Sequence, residues 1–321
     1  MVESMNRCQS SPLFRFLSSL WGEDETMRLF RLYNVGATSR MNDATVFWQT
    51  DINGCIRTGK VMRYGNDGHR IKEDGLVNFM WAHRMKSMVD NPEDFNLVQC
   101  FFGEHLLSVY PDSKVMIVES EKSAIIASHY YPQYLWMASG GCCGCLNQTA
   151  SQVLKGREVW LVPDLDAEDR WRDKLAMLRT ITPTAGIVTA ISDMATPEQR
   201  AAKLDIADFL LDTASRNNPI VGVDDGANQL AECRGILVIK FRKLLWHFHP
   251  KSPTSPEKAI SHRATSRLSF AIDTEFYHNH FNSRVNDNTI CSVPPGAWRR
   301  QRFEDVMPHR AQDRRRQTSH P

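Results

Sequence analysis

The sequence predicts a mixed α/β fold: a mostly parallel sheet with helices on both faces, preceded by a small α+β module built on a β-hairpin and followed by a largely irregular basic tail. Three observations carry this prediction. Between Phe101 and Leu211, short apolar strands alternate with helices of about ten residues, the rhythm of βαβ crossovers. Upstream, two runs rich in β-branched and aromatic residues flank Asp51-Ile52-Asn53-Gly54, and Asn-Gly favours a tight reversal. Beyond Thr213 the periodic apolar pattern stops, and Pro, Arg, His and Asn accumulate. The boundaries predicted are 1–100, 101–214 and 215–321.

The first hundred residues open with two short helices, Ser10–Leu20 and Glu23–Leu32, separated by Trp21-Gly22. The acids of the second stand at its start, where the helix dipole favours them. Thr45–Thr50 and Cys55–Tyr64 form the hairpin. A second turn, Gly65-Asn66-Asp67-Gly68, leads into His69–Lys72, giving a predicted meander of three strands. The hairpin carries Arg57, Lys60, Arg63, Arg70 and Lys72 close in sequence to Trp48, Tyr64 and Trp81. Bases stack on rings while phosphates meet cations, so Arg57, Lys60 and Arg63 are candidate nucleic-acid contacts; the ordinary alternative is a solvated hairpin face.

The α/β region follows in order: helix Gly103–Val109, strand Val115–Val118, helix Ser120–Ser128, strand Tyr134–Ala138, helix Asn147–Leu154, strand Val159–Val162, helix Asp166–Leu178, strand Gly186–Ile191 and helix Ile206–Leu211. Ligands in such sheets sit beyond the carboxyl ends of the strands. There the first strand delivers Glu119, and the third delivers Asp164 and Asp166, with Pro163 helping to end it. Carboxylates two apart on a strand face opposite ways, so both reach one ion only where the backbone turns. Oxygen-rich sites of this kind suit Mg²⁺ or Mn²⁺ and leave coordination positions for phosphate. As strand-end and first-turn residues, Asp166, Glu168 and Asp169 also fit a purely capping role.

Composition limits the alternatives. With 321 residues, 42% hydrophobic and 24% charged, the chain can bury one or two ordinary cores. No apolar run approaches the roughly 20 residues of a membrane span, and the N-terminus lacks a basic-then-apolar leader pattern, so a cytoplasmic location is expected. The eight cysteines show no repeated ribbon spacing, and adjacent Cys142 and Cys143 with Cys145 make a poor tetrahedral set, so reduced thiols and no zinc are expected. From Ser215 onward there are 17 Lys/Arg against 10 Asp/Glu, a basic balance that attracts phosphate backbones without reading sequence. Within it, Gly235–Trp246 is apolar with a basic stripe, and Ser252–Pro321 is expected to be disordered. His105 follows Glu104 directly, but neighbours on a helix diverge by about 100°, so a packed or solvent-facing histidine is expected there.

Val118-Glu119-Ser120, the glycine turn Ser139-Gly140-Gly141-Cys142-Cys143-Gly144 and Asp164-Leu165-Asp166 occur in the order of a toprim (topoisomerase–primase) domain, which residues 114–212 resemble. Ser120 stands where that family usually has Gly, Lys122 follows as in many primase-like members, and Asp205-Ile206-Ala207-Asp208 resembles their late acidic segment. With Phe47-Trp48-Gln49, Arg57-Thr58-Gly59-Lys60 and Phe101–Leu107 added, residues 10–212 are similar to a toprim-like family of uncharacterised proteins from bacterial mobile elements. The resemblance implies Glu119 as general acid/base or metal contact, Asp164 and Asp166 as ligands of Mg²⁺, Asp208 as a further ligand and Lys122 as a phosphate contact. It also implies DNA or RNA as partner, with a helicase or other replication or mobilisation proteins. Two functions follow as expectations: a Mg-dependent primase-like or nuclease-like phosphoryl transfer, or a catalytically inactive nucleic-acid-binding or adaptor protein on the same fold.

Overall fold

The computed structural model describes residues 1–72, 79–85, 97–141 and 144–217. The basic tail, its Gly235–Trp246 segment, and Cys142 and Cys143 lie outside the described residues. Two four-stranded sheets form the frame, one antiparallel and one parallel.

The chain begins with helices α1 (Val2–Asn6), α2 (Pro12–Trp21) and α3 (Glu23–Leu32). Ser11 caps α2 by accepting from the Phe14 N–H, and Pro12 follows at the first helical position, where its missing N–H costs nothing. The first sheet is β1 (Val35–Thr38), β2 (Ala44–Thr50), β3 (Ile56–Met62) and β4 (Phe79–Trp81), in that order and antiparallel throughout. The predicted hairpin is β2 and β3. Its turn is held by the Asp51 carboxylate, whose Oδ1 accepts from Asn53 N and Cys55 N at 2.9 Å each.

The third strand of the predicted meander differs. His69–Lys72 makes only a single bridge, Tyr64 to Arg70, and the strand beside β3 is β4. On the other edge β1 was not foreseen, because Val35-Gly36-Ala37-Thr38 is four residues with a central glycine. Gly36 is required there: a Cβ would lie 2.5 Å from Ser4 Oγ and 2.6 Å from its carbonyl carbon in α1.

The second sheet contains β5 (Val115–Val118), β6 (Leu135–Ala138), β7 (Val159–Leu161) and β8 (Gly186–Ile187), all parallel, in the order β6-β5-β7-β8. Helix α4 (Leu106–Val109) precedes it; α5 (Glu121–Tyr130) joins β5 to β6, and α6 (Glu168–Leu178) joins β7 to β8. The chain leaves β5 in one direction and returns past it to β7. Right-handed crossovers in opposite directions put α5 and α6 on opposite faces, and the switch point lies between β5 and β7. Two predicted elements shorten: the segment before β7 is a 3₁₀ turn at Ala150–Leu154, and β8 ends at Ile187, where Thr189 starts α7 (Ala190–Met194). Helix α8 (Pro197–Ala201) carries a capping box, Thr196 with Gln199, and α9 (Ile206–Asn217) runs beyond its predicted end at Leu211.

One buried cluster runs through both sheets, from Leu13, Phe30 and Phe47 to Ile117, Trp136 and Trp171. The seam between the sheets is hydrogen-bonded as well as apolar. Tyr33 Oη donates to Trp136 O at 2.9 Å, His105 N to Thr50 O at 3.2 Å, and the His105 ring reaches Leu32 O at 3.0 Å. His105 is fully buried, and burial holds its pKa down at about 4. A smaller cluster, Val46, Trp48, Val61, Ala82 and Met85 among others, covers the outer face of the first sheet. Strand β2 is therefore buried on both faces. Among the described residues no helix is long and apolar enough to cross a membrane.

Candidate metal and phosphate site

Glu119 follows β5 immediately, and its own carbonyl accepts from both Gly140 N and Gly141 N at 3.0 Å. The glycine turn thus folds over the end of β5, with φ of 81° at Gly140 and 129° at Gly141, values that favour glycine. Ser120 caps α5: its Oγ accepts from Ser123 N at 3.1 Å. Ser123 Oγ in turn donates to Asp205 Oδ2 at 2.5 Å, tying the start of α9 to the start of α5. Asp205 N donates to Asp208 Oδ2 and Asp208 N to Asp205 Oδ1, each at 3.0 Å, a reciprocal box at the head of α9.

Across the switch point, Val162 N donates to Ile117 O at 2.8 Å and extends the ladder by one bond. The chain then turns, with Ala167 N donating to Asp164 O at 2.9 Å. Asp164 is partly buried, whereas Asp166 is exposed and pairs with Lys203 at 3.0 Å. Asp166 makes no side-chain cap to α6, whose N-cap position is Ala167, and Glu168 is engaged by Arg172, so neither serves as an N-cap here.

The acids influence one another. Burial raises the Asp164 pKa, and the negative charges of Asp205, Glu119, Asp166 and Asp208 raise it further, to about 9. Glu119 is raised by burial, a shift partly offset by Arg170, and its Oε1 is buried without a hydrogen-bond partner. Asp208 is raised by burial and Asp205 and drawn back by Asp205 N–H, Lys122 and His69. Glu119, Asp166, Asp205 and Asp208 are thus each near enough to raise Asp164 through their charge. Asp205 was not among the candidate site residues, although it lies in the late acidic segment beside Asp208; its charge raises Asp164.

A set of hard oxygen donors, one a buried carboxylate oxygen without a hydrogen-bond partner, matches the chemistry of Mg²⁺ or Mn²⁺. Among the described residues no three His, Cys, Asp or Glu side chains already stand in a ligating cluster.

The basic candidates divide. Lys122, on the first turn of α5, donates to Gly68 O at 3.4 Å and lies beside Asp208. Arg57 is bound to Asp51, with Nε to Oδ2 at 2.7 Å. Lys60 is buried, reaching Glu121 Oε2 at 3.2 Å and Gly140 O at 3.1 Å. Arg63 is half-buried at the end of β3, where its carbonyl accepts from Ile71 N. Trp48 and Tyr64, the rings expected beside these cations, are 2% and 5% exposed and belong to the core, so they offer no stacking surface.

A family model described as a domain of unknown function (DUF6371) matches residues 11–165. No curated protein matches the chain. Among solved structures, the chain is similar to the primase fragment of the bacteriophage T7 primase-helicase protein, at 13% identity and a TM-score of 0.37, covering 59% of this chain and 67% of that one. It is likewise similar to the RNA polymerase domain of Mycobacterium tuberculosis primase DnaG, at 10% identity and a TM-score of 0.39, covering 76% and 95%. A DnaG primase catalytic domain bound to ssDNA is similar at 13% identity and a TM-score of 0.38, covering 76% and 93%.

Proposed function

We propose that this chain is a toprim-type, primase-like protein that acts on nucleic acid through Mg²⁺- or Mn²⁺-dependent phosphoryl transfer, in replication or mobilisation of a bacterial mobile element. The single observation that carries the reading is the placement of Glu119 and Asp164 just beyond the ends of the neighbouring strands β5 and β7, with Asp164 pushed up to about 9 by burial and by the charges of Asp205, Glu119, Asp166 and Asp208. Carboxylates whose charges raise the pKa of a buried neighbour fit a role in holding a divalent ion.

In this reading Asp164 and Asp166 hold the ion from one strand end, and Glu119 faces them from the next. Asp208 completes the set from α9, where Asp205 and Ser123 position it. A divalent ion held by these carboxylates would supply positive charge against a phosphoryl group. Lys122, adjacent in space to Asp208, contacts phosphate, and Glu119, raised by burial, exchanges a proton with the reacting hydroxyl. DNA or RNA is the partner, delivered by a helicase or other replication or mobilisation protein.

The experiment is calorimetric titration of Mg²⁺ and Mn²⁺, with assays of primer synthesis and strand cleavage, on the wild type and on Glu119→Gln and Asp164→Asn/Asp166→Asn variants. The reading expects metal binding and an activity that these changes reduce by at least about a hundredfold, the scale of losing a transition-state charge contact. Absence of metal-dependent activity, or activity indifferent to these changes, favours the alternative of a catalytically inactive nucleic-acid-binding or adaptor protein. That alternative is supported by the internal bonds already engaging Asp166, Asp205 and Asp208.

A further inference from the structure

Strand β4 presents an aromatic surface that the buried rings of the hairpin do not. Phe79 and Trp81 alternate along it and face the same side, and Met80 between them packs into the smaller core cluster. Phe79 is 42% exposed, one of few large apolar side chains left open among the described residues. The two rings meet edge to face, with centroids 6.4 Å apart at 88°.

Both are braced. The Arg70 guanidinium lies 5.7 Å over the Phe79 ring. The His83 ring stacks near Trp81 at 6.2 Å and 25°, and its Nδ1 is 2.8 Å from Thr58 Oγ1. Around the rings, His69, Arg70 and Lys72 are exposed. The turn that carries them is fixed by Gly68, whose φ is 73° and where a Cβ would lie 2.3 Å from the Phe16 ring.

The surface leads to the acid edge. Trp81 pairs in register with Lys60, and Lys60 Nζ reaches Glu121 and Gly140 beside Glu119. Lys122, on the first turn of α5, donates to Gly68 O at 3.4 Å, joining the turn that carries His69 and Arg70 to the helix that follows Glu119. A strand of nucleic acid lying over Phe79 and Trp81 would therefore run, along a basic margin, towards the switch point.

We infer that Phe79, Trp81 and Arg70 form a stacking platform for an unpaired nucleic-acid strand and feed it to the acid edge; this rests on the nucleic-acid reading given above. Rigid rings take any base by its π-face, while Arg70, Lys72 and His69 meet phosphates. A duplex hides its base faces and gains only the charge term. A protein partner pairing with the strand edge is the competing occupant, but exposed cations beside the exposed Phe79 and half-buried Trp81 rings favour a polyanion with aromatic faces.

The test uses the full chain and fluorescein-labelled single-stranded oligo-dT and hairpin-duplex probes, with anisotropy read at two salt concentrations. Phe79→Ser and Trp81→Ser are each expected to weaken oligo-dT binding by about tenfold while changing duplex binding little, since one stacked base contributes on the order of 1–3 kcal/mol. Phe79→Tyr, which keeps the ring, should retain wild-type affinity. Arg70→Gln should weaken both probes and lower the salt slope by about one contact's share.

If the wild type binds neither probe, the nucleic-acid reading itself fails. If it binds both but the serine variants bind oligo-dT equally well, the platform is overturned while that reading stands. Equal losses on both probes, or a wild-type dimer in size-exclusion chromatography that Phe79→Ser dissociates, also overturn it. Circular dichroism melts on each variant separate loss of binding from loss of fold, and Phe79→Tyr and Arg70→Gln leave the packing intact.

Discussion

Glu119 and Glu121 are two residues apart, yet they occupy opposite electrostatic settings. Glu121 is 1% exposed at the first turn of α5 and is met by the Lys60 ammonium from the first sheet. Glu119 is raised by burial and by the charges of Asp166 and Asp205 and is drawn back by Arg170 and Trp171; one oxygen of each glutamate is buried without a hydrogen-bond partner. The first carboxylate joins the two sheets through a cation at 3.2 Å; the second has acids as well as Arg170 around it. Charge compensation, more than burial, separates structural acids from candidate functional ones in this molecule.

The largest way to break the contrast is Glu121→Ala. It strands the Lys60 charge in the seam and should cost about 3–5 kcal/mol in urea unfolding. A paired Lys60→Met/Glu121→Leu change should recover most of that loss, because apolar side chains of similar volume replace buried ion pairs well. A double variant no better than the single would show that Lys60 needs Gly140 O rather than Glu121.

On the uncompensated side the sign reverses. A carboxyl whose folded pKa is raised stabilises the fold fully only below its unfolded pKa, and that stability is lost as pH rises towards the folded value. For Asp164 the window runs from about 3.8 to about 9. Asp164→Asn should therefore raise the stability of metal-free protein at pH 8 by about 1–3 kcal/mol, discounted for partial exposure, and should abolish any rise in Tm on adding Mg²⁺. A destabilised variant would mean that Asp164 has a structural partner.

Glu104 tests the same sign in the seam. Burial raises its pKa to about 7, although it accepts from Phe101 N at 3.1 Å and Ile52 N at 3.2 Å. Stability should fall by about 1–2 kcal/mol between pH 4.5 and 7 on this account, and Glu104→Gln should flatten that slope in melts across the window. Glu25 is the compensated counterpart and the smallest effect. Burial alone would raise it, but hydrogen bonds from Arg28 and His129 hold it down at about 2. Its contribution is present above its unfolded pKa and lost as pH falls from about 4.5 to about 2. Glu25→Gln should cost about 1 kcal/mol at pH 7 and almost nothing at pH 2.

The strand-helix rhythm of the second sheet was legible because each element is apolar, short and punctuated, and because the acids fall where the apolar runs stop. Strand β1 was not, since four residues around Gly36 form a strand only once Ser4 covers them. The basic hairpin illustrates the same limit. Adjacency in sequence suggested one wet face with rings and cations together, but the second core cluster buries Trp48, and Asp51 and Glu121 take up Arg57 and Lys60.

By itself the sequence determined the α/β architecture, the hairpin and the order in which acids reach the sheet's end, because these follow from periodicity, turn chemistry and strand termini, all local. Only the tertiary structure decided which charges are compensated. That depends on which side chains distant in sequence are brought to the same place: Lys60 to Glu121, Ser123 to Asp205, and Glu119 to Asp164 across the switch point.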